Sequence, residues 1–264
     1  MAPRLWANRT IFEISKRVIC EVDERLIRTH GENWIHINDV EALVEHDQAD
    51  DLAPAIPPRS QEVIDATEVV GTLLASELIR DGDTLQIGIG DVTSALAMYL
   101  GEKRDLGIQT ELIPGGIVDL VEQGVITGRH KQVAPGKVVG SAFAVLPPEE
   151  AQRVHMNPTY ELWDFCNTDD LRTLVREENF VAINNALQVD LTGQVTAETL
   201  GGQVFSGPVG RPSSPSRLRT RRAAAPSSPC PPAPSWTACA IRASCRRSKR
   251  ARWLRCRGPS STTW

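Results

Sequence analysis

Residues 84–116, TLQIGIGDVTSALAMYLGEKRDLGIQTELIPGG, hold the pattern that decides the fold. TLQIGIG has the pattern of a buried strand that runs into glycines, and VTSALAMYLGEK after it predicts a helix with Leu96, Met98 and Leu100 as its apolar residues. LGIQTELI is a second β-type run, which breaks at Pro114. A strand, a helix and a second strand in this order predict a parallel α/β sheet.

The flanking segments extend the same alternation. Residues 60–82 predict a helix, because Ser60 can cap it, apolar residues follow at helical spacing and Gly82 stops it. A helix is expected in IVDLVEQGVIT, directly after residue 116. Further strands are expected in KVVGSAFAVL and FVAINNALQVDL. Two short strands are predicted nearer the start, in RVICEVDERL and around Trp34 and Ile35. We therefore expect an open, mostly parallel sheet with helices on both faces.

The bulk composition excludes several classes of protein. The 264 residues contain no run near the ~20 apolar residues that a membrane span needs. The start, MAPRLWANRTIFEISKRV, lacks the apolar centre of a secretory signal. Neither the histidines nor Cys20 and Cys166 show metal-ligand spacing. These features predict a cytoplasmic protein with no bound metal and no membrane partner.

The charge is distributed unevenly along the chain. Residues 211–264 contain 13 basic and no acidic residues, which leaves 16 basic against 33 acidic residues in 1–210. The basic stretch is rich in proline and serine and has no apolar period. It has two direct interpretations: an arm that binds nucleic acid or acidic lipid, or a disordered tail without a role.

Two features of the central segment indicate residues that can bind or react with a ligand. Gly88 and Gly90 stand where a strand passes into a helix, so backbone N–H groups there can approach an anionic ligand. Glu111 stands between a β-type run and the Pro114-Gly115-Gly116 turn. A strand-end glutamate is ordinarily a solvated charge, and a glycine pair is ordinarily a tight turn.

The chain resembles the acetyl-CoA hydrolase/CoA-transferase family, which includes 4-hydroxybutyrate CoA-transferases. The resemblance is carried, in family order, by RTHGENWIHINDVEALVEHD, GDTLQIGIG, LGIQTELIPGGIVDLVEQGVITG, PGKVVGSAFA, VAINNALQVDLTGQVTAETLGG and FSG. It implies two domains, each an open α/β sheet. Residues 1–58 resemble the end of the N-terminal domain plus a linker, and 59–208 resemble the start of the C-terminal domain. The large portion expected upstream of KRVICEVDE is absent.

The resemblance also implies roles for individual residues. Glu111, in GIQTELIPGG, matches the family's nucleophilic glutamate. Gly88, Ile89 and Gly90 match a loop that binds the CoA thioester, and Gly115, Gly116 and Gly207 are assigned to the same binding role. Two departures put the acyl specificity in doubt: Asp91 stands where the family more often has a small or amide residue, and Pro114-Gly115-Gly116 replaces a common Ser-Asp-Gly.

The basic stretch has a third interpretation within this resemblance. After FSG the family continues with a second glycine-rich loop and a strand, whereas here arginines and serines follow. Read one base earlier, with free codon choices, the same nucleotides can encode segments such as GGRSIVALPS. We therefore expect residues 209–264 to be a frameshift product, beginning near Pro208, that forms a non-native, disordered tail.

The implied function is CoA transfer between an acyl-CoA thioester and a carboxylate, or hydrolysis of acyl-CoA. Both would pass through a glutamyl anhydride and a glutamyl-CoA thioester, and activity is expected to be impaired in this fragment. The alternative is a non-catalytic acyl-CoA-binding remnant. Coenzyme A thioester is expected as substrate with no permanently bound cofactor. The expected partners are the acyl-CoA, the carboxylate and a second copy in a homodimer, without specific nucleic acid.

Overall fold

The computed structural model describes residues 5–45, 60–144, 146–206 and 237–244. Within these ranges the α-helices are α1 Asn8–Ile14, α2 Gln61–Leu73, α3 Asp91–Ala95, α4 Ile117–Glu122, α5 Pro148–Val154, α6 Phe165–Thr168 and α7 Leu171–Leu174. Short 3-10 helices are found at Ile37–Asp39 and Leu96–Tyr99, and a π-helical turn is found at Leu74–Leu78. The predicted linker at 51–60 lies outside the described residues except for Ser60.

The strands in the described ranges are mostly short. They are β1 Ile19–Val22, β2 His30–Gly31, β3 Ala42–Glu45, β4 Thr84–Ile87, β5 Gly107–Gln109, β6 Leu112–Ile113, β7 Val138–Gly140, β8 Ala142–Phe143, β9 Tyr160–Leu162, β10 Asn179–Ala186, β11 Gln188–Val189, β12 Val195–Thr196, β13 Thr199–Leu200, β14 Gln203–Val204 and β15 Thr237–Ser244.

The main sheet has the strand order β15-β10-β4-β5-β7-β9-β2. From β10 to β2 every neighbouring pair is parallel, and β15 is antiparallel to β10. This mostly parallel sheet with helices confirms the predicted α/β class. The chain adds strands outward on one side of β4, in the order β5, β7 and β9. It then returns and places β10 on the other side of β4. The order of the strands therefore reverses at β4 and β10, which is where open α/β sheets bind ligands.

The core explains why the central segment forms the middle of the sheet. All four residues of β4 are buried, and Leu85 and Ile87 pack with Ile108 and Ile183 from the neighbouring strands. A strand that is buried throughout is typical of a parallel sheet covered on both faces. The helix α2 begins as predicted, because the Ser60 hydroxyl accepts a hydrogen bond from the Val63 N–H.

Two regions differ from the expectations drawn from the sequence. Trp34 and Ile35 do not form a strand; the nearest strand is β2, at His30–Gly31. The Trp34 indole instead donates a hydrogen bond to the Thr29 carbonyl (2.9 Å), which holds the ring back over its own turn. Within the expected disordered tail, the eight residues of β15 pair with β10, because β10 would otherwise present unpaired backbone groups at the sheet edge. The remainder of the stretch 209–264 lies outside the described residues.

Candidate active site

Glu111 lies at a break between two short strands. Strand β5 ends at Gln109 and the chain resumes as β6 at Leu112, so the glutamate interrupts the strand instead of following it. Its carbonyl oxygen accepts hydrogen bonds from the N–H groups of Ser141 (2.8 Å) and Ala142 (3.1 Å), which bridge the same break in the neighbouring strand. Glu111 is 7% exposed, so it is not the solvated charge that a strand-end glutamate ordinarily provides.

Thr110 joins the glutamate to the glycine loop at residues 88–90. Its buried hydroxyl accepts a hydrogen bond from the Ile87 N–H (2.9 Å) and lies at donor distance from the carbonyl oxygens of Ile87 (2.9 Å) and Leu112 (3.1 Å). Ile87 is the last residue of β4, so the hydroxyl holds the ends of two adjacent parallel strands together. The glycine loop and Glu111 therefore leave the sheet at the same edge.

Replacing Thr110 by valine should loosen this junction. Valine keeps the shape of threonine but leaves the Ile87 N–H without its partner, so we expect a loss of about 1–3 kcal/mol in the free energy of unfolding. Urea denaturation of the two proteins measures the difference. Thr110→Ser is the matched control, since it keeps the hydroxyl; a serine variant less stable than the valine variant would show that the methyl group, not the hydroxyl, holds the junction.

Two asparagines of β10 pack against the glycine loop. A side chain at Gly88 would place its Cβ 2.2 Å from Asn184 Oδ1, and one at Gly90 would place it 1.9 Å from Asn185 Nδ2. Gly90 also has φ +144°, a backbone conformation that L side chains rarely adopt. Gly90 therefore requires glycine for its backbone conformation, and a side chain at Gly88 would have to displace the Asn184 amide, whereas Ile89 between them is 54% exposed.

A hydrogen bond within the protein already occupies one of the candidate glycine N–H groups, because Gly88 donates to the Ile183 carbonyl (2.8 Å). The Gly116 N–H lies close to the carboxylate of Glu150, which is 9% exposed; burial raises the pKa of Glu150, and the nearby N–H opposes the rise. Ile89 and Gly90 are consequently the better-placed donors to a bound ligand in the first loop.

The remaining predicted positions are placed as follows. Gly115 lies in the turn before α4, with open space around it. Asp91 is the first residue of α3, directly after the glycine loop. Gly207 lies outside the described residues. No group of three or more His, Cys, Asp or Glu side chains that could hold a metal occurs in the described ranges, nor does a helix long and apolar enough to cross a membrane.

Several residues around Glu111 escaped the sequence analysis. Each of them acts through contacts between distant parts of the chain, which a single sequence does not display. They are Thr110, Asn184, Asn185, Glu150 and Asp169. The doublet Asn184-Asn185 inside an apolar strand was the available signal, because amides are uncommon in the interior of a buried strand.

The comparisons with known proteins agree with this fold. Residues 149–213 match the acetyl-CoA hydrolase/transferase C-terminal domain. The chain belongs to the acetyl-CoA hydrolase/CoA-transferase family. It spans less than half the length of the curated relatives reported next.

Two curated relatives are similar over about three quarters of the chain. The 4-hydroxybutyrate coenzyme A transferase of Clostridium kluyveri is 35% identical over 74% of this chain and 44% of its own length. The succinyl-CoA:cyclohexane-1-carboxylate CoA transferase of Geobacter metallireducens is 34% identical over 75% of this chain and 44% of its own length.

Two solved structures share the fold. The 4-hydroxybutyrate CoA-transferase from Porphyromonas gingivalis superposes with a TM-score of 0.64 at 31% identity, covering 74% of this chain and 48% of that one. RipA from Yersinia pestis gives a TM-score of 0.64 at 28% identity, covering 75% and 44%.

Proposed function

We propose that this chain carries the nucleophile of a CoA-transferase, and that the nucleophile is Glu111. A Glu111 carboxylate oxygen attacks the acyl carbonyl of an acyl-CoA, the carbon–sulfur bond breaks, and CoA leaves as the thiolate. The thiolate then attacks the glutamyl carbonyl of the mixed anhydride, which releases the acyl group as a carboxylate and leaves a glutamyl-CoA thioester. A second carboxylate reverses these steps and departs as the new thioester. One difficult transfer is thus divided into easier ones.

The position of Glu111 beside the glycine loop is the observation that carries this proposal. The buried carboxylate and the loop at 88–90 leave the same edge of the sheet, joined through Thr110, next to the point where the strand order reverses. Nucleophile and oxyanion donors have to face one crevice if a tetrahedral intermediate is to be stabilised between them. The Ile89 and Gly90 N–H groups suit the donor role, because the Gly88 N–H is already bonded to Ile183.

Contacts with the rest of the thioester are assigned to the glycines. Gly88, Gly115 and Gly116 let CoA approach the backbone closely, and Gly207 is given the same role by the family resemblance alone. Coenzyme A enters as a substrate, and the described residues need no resident cofactor for the steps above.

Trapping the glutamyl-CoA thioester tests the proposal. The chain is incubated with acetyl-CoA and reduced with borohydride, which reduces a thioester and leaves a carboxylate unchanged; peptide mass spectrometry then locates the reduced residue. We expect Glu111 alone to become an alcohol. Glu122, an exposed glutamate on α4, is the internal control and should stay unmodified. Because trapping needs only one turnover, it detects weak activity.

A non-catalytic acyl-CoA-binding remnant is the second candidate. The chain covers less than half the length of its relatives, so half of the site could be supplied elsewhere. Saturable binding of acetyl-CoA without any reduced Glu111 would favour this candidate. Hydrolysis of the acyl-CoA, with water in place of the carboxylate, would instead show as CoA release that does not depend on an added carboxylate.

The organisation of the chain forms part of the same proposal. Residues 1–58 and 59–208 correspond to parts of two CoA-transferase domains, and the sequence after about 208 belongs to a different reading frame. The family match ends at residue 213, which supports a change of frame in this neighbourhood. We propose that the protein is cytoplasmic and forms a homodimer. We expect impaired activity for the chain as it stands. Sequencing the DNA around codons 205–212 tests the change of frame directly.

A further inference from the structure

Asp169 is a buried carboxyl group that the proposed transfer does not use. It directly follows α6 and is 5% exposed. Neither of its carboxyl oxygens has a hydrogen-bond partner within the described part of the chain. An ionised carboxylate that is buried without a partner is strongly disfavoured, so the group calls for a physical explanation.

Hydrogen bonds hold the segment just before Asp169 close to the backbone of Glu111. Thr168, the residue before Asp169, places its hydroxyl 2.7 Å from the Ser141 hydroxyl. The Ser141 N–H in turn donates to the Glu111 carbonyl (2.8 Å). Burial first, and then the negative charge of Glu111, raise the pKa of Asp169 to about 7. Two buried carboxyl groups that repel each other cannot both ionise freely.

The other charged groups around α6 are engaged elsewhere. The Asp164 carboxylate accepts from Thr10 and from the Cys166 N–H, and Asp170 pairs with Arg172. Glu32 accepts from the Asn167 amide and the Asp164 N–H. Glu111 is therefore the charged group that acts on Asp169.

We propose that Asp169 is a positioning residue for Glu111, a buried carboxyl group that keeps its proton while Glu111 is ionised. A neutral Asp169 adds no second buried negative charge near the Glu111 carboxylate, so Glu111 can stay ionised for its attack. When Glu111 becomes a thioester it loses its charge, so Asp169 can release the proton to solvent and ionise. No covalent bond to Asp169 forms or breaks. This last step rests on the proposed function, whereas the pairing of the two groups does not.

The titration of Asp169 tests the pairing without any substrate. The 264-residue chain is labelled with carbon-13 at the aspartate and glutamate carboxyl groups, and the Asp169 signal is assigned as the one lost in Asp169→Asn. We expect its midpoint near pH 7, and a fall of at least about one pH unit in Glu111→Gln, where the neighbouring charge is gone. Asp170→Asn is the matched control, since its carboxylate pairs with Arg172, and should leave the midpoint unchanged.

The outcomes separate this proposal from the proposed function. An Asp169 midpoint below pH 5, or one that does not move in Glu111→Gln, overturns the pairing even if borohydride reduces Glu111. A midpoint that moves as expected supports the pairing even if no thioester is trapped. Should Glu111→Gln fail to fold, the Glu111 signal is followed in Asp169→Asn, where its midpoint must fall if the two groups interact and must stay if they do not. Where the thioester does form, the Asp169 midpoint should fall as it does in Glu111→Gln.

Discussion

Glu111→Gln is expected to lower the rate of acyl exchange between acetyl-CoA and a labelled carboxylate by a factor of about 10³ or more. An amide at this position cannot form the mixed anhydride, so the covalent route is closed and not merely slowed. The measurement uses the chain as it stands and a second version in which the proposed change of frame near Pro208 is corrected. Glutamine has nearly the shape of glutamate, so the contacts of the backbone at the strand break should survive.

The Glu111→Asp variant tests whether the rate of acyl exchange depends on the position of the carboxylate and not only on its presence. The shorter side chain withdraws the attacking oxygen by one methylene, and misplacement on the scale of 1 Å can reduce a rate by about 10²-fold. Glu122→Gln, on an exposed face of α4, is the control and should exchange at the wild-type rate. A glutamine variant that keeps wild-type exchange would remove Glu111 from the mechanism.

Relative to wild type, the Asp169→Asn variant should gain stability as the pH rises from 4 to 8. In the folded state the pKa of Asp169 is raised to about 7, so the native protein holds a proton that the unfolded chain releases near pH 4. The resulting penalty on wild-type stability is absent below pH 4, grows between pH 4 and 7, and is complete above pH 7. The variant-minus-wild-type difference in the free energy of unfolding should rise by about 4 kcal/mol from pH 4 to pH 8.

Comparing two pH values isolates this contribution. The asparagine amide is itself buried, and its cost is the same at both pH values, so it cancels from the difference. Asp170→Asn removes a neighbouring carboxylate that pairs with Arg172 and should show no such rise. A pH-independent difference for Asp169→Asn would mean that Asp169 titrates as an ordinary solvated aspartate.

The central sheet was predictable because its signals are local. The apolar run of β4, the glycines after it and the second run of β5 occupy neighbouring positions in the chain, and the structure confirms both strands in parallel register. Tyr160–Leu162 escaped prediction because a strand of three residues has no detectable period, although it pairs on both sides in the sheet. The expected strand at Trp34 and Ile35 was wrong because their alternation reflects a tryptophan folded over a turn.

The site was predictable only in part. Family resemblance singled out Glu111 and the glycine loop, and the structure places them at one edge of the sheet. The sequence did not indicate that Glu150 lies close to the Gly116 N–H, or that the charge of Glu111 raises the pKa of Asp169. These relations join residues 34 to 58 positions apart, and each depends on how the strands pack.

The packing of the asparagines against the glycine loop sets where this loop can be varied. A side chain at Gly88 would have to displace the Asn184 amide, and Gly90 is restricted by its backbone conformation as well as by Asn185. Ile89 lies between them, is 54% exposed and carries no such restriction. We expect a library directed at residue 89 to contain more folded proteins than a library directed at either glycine.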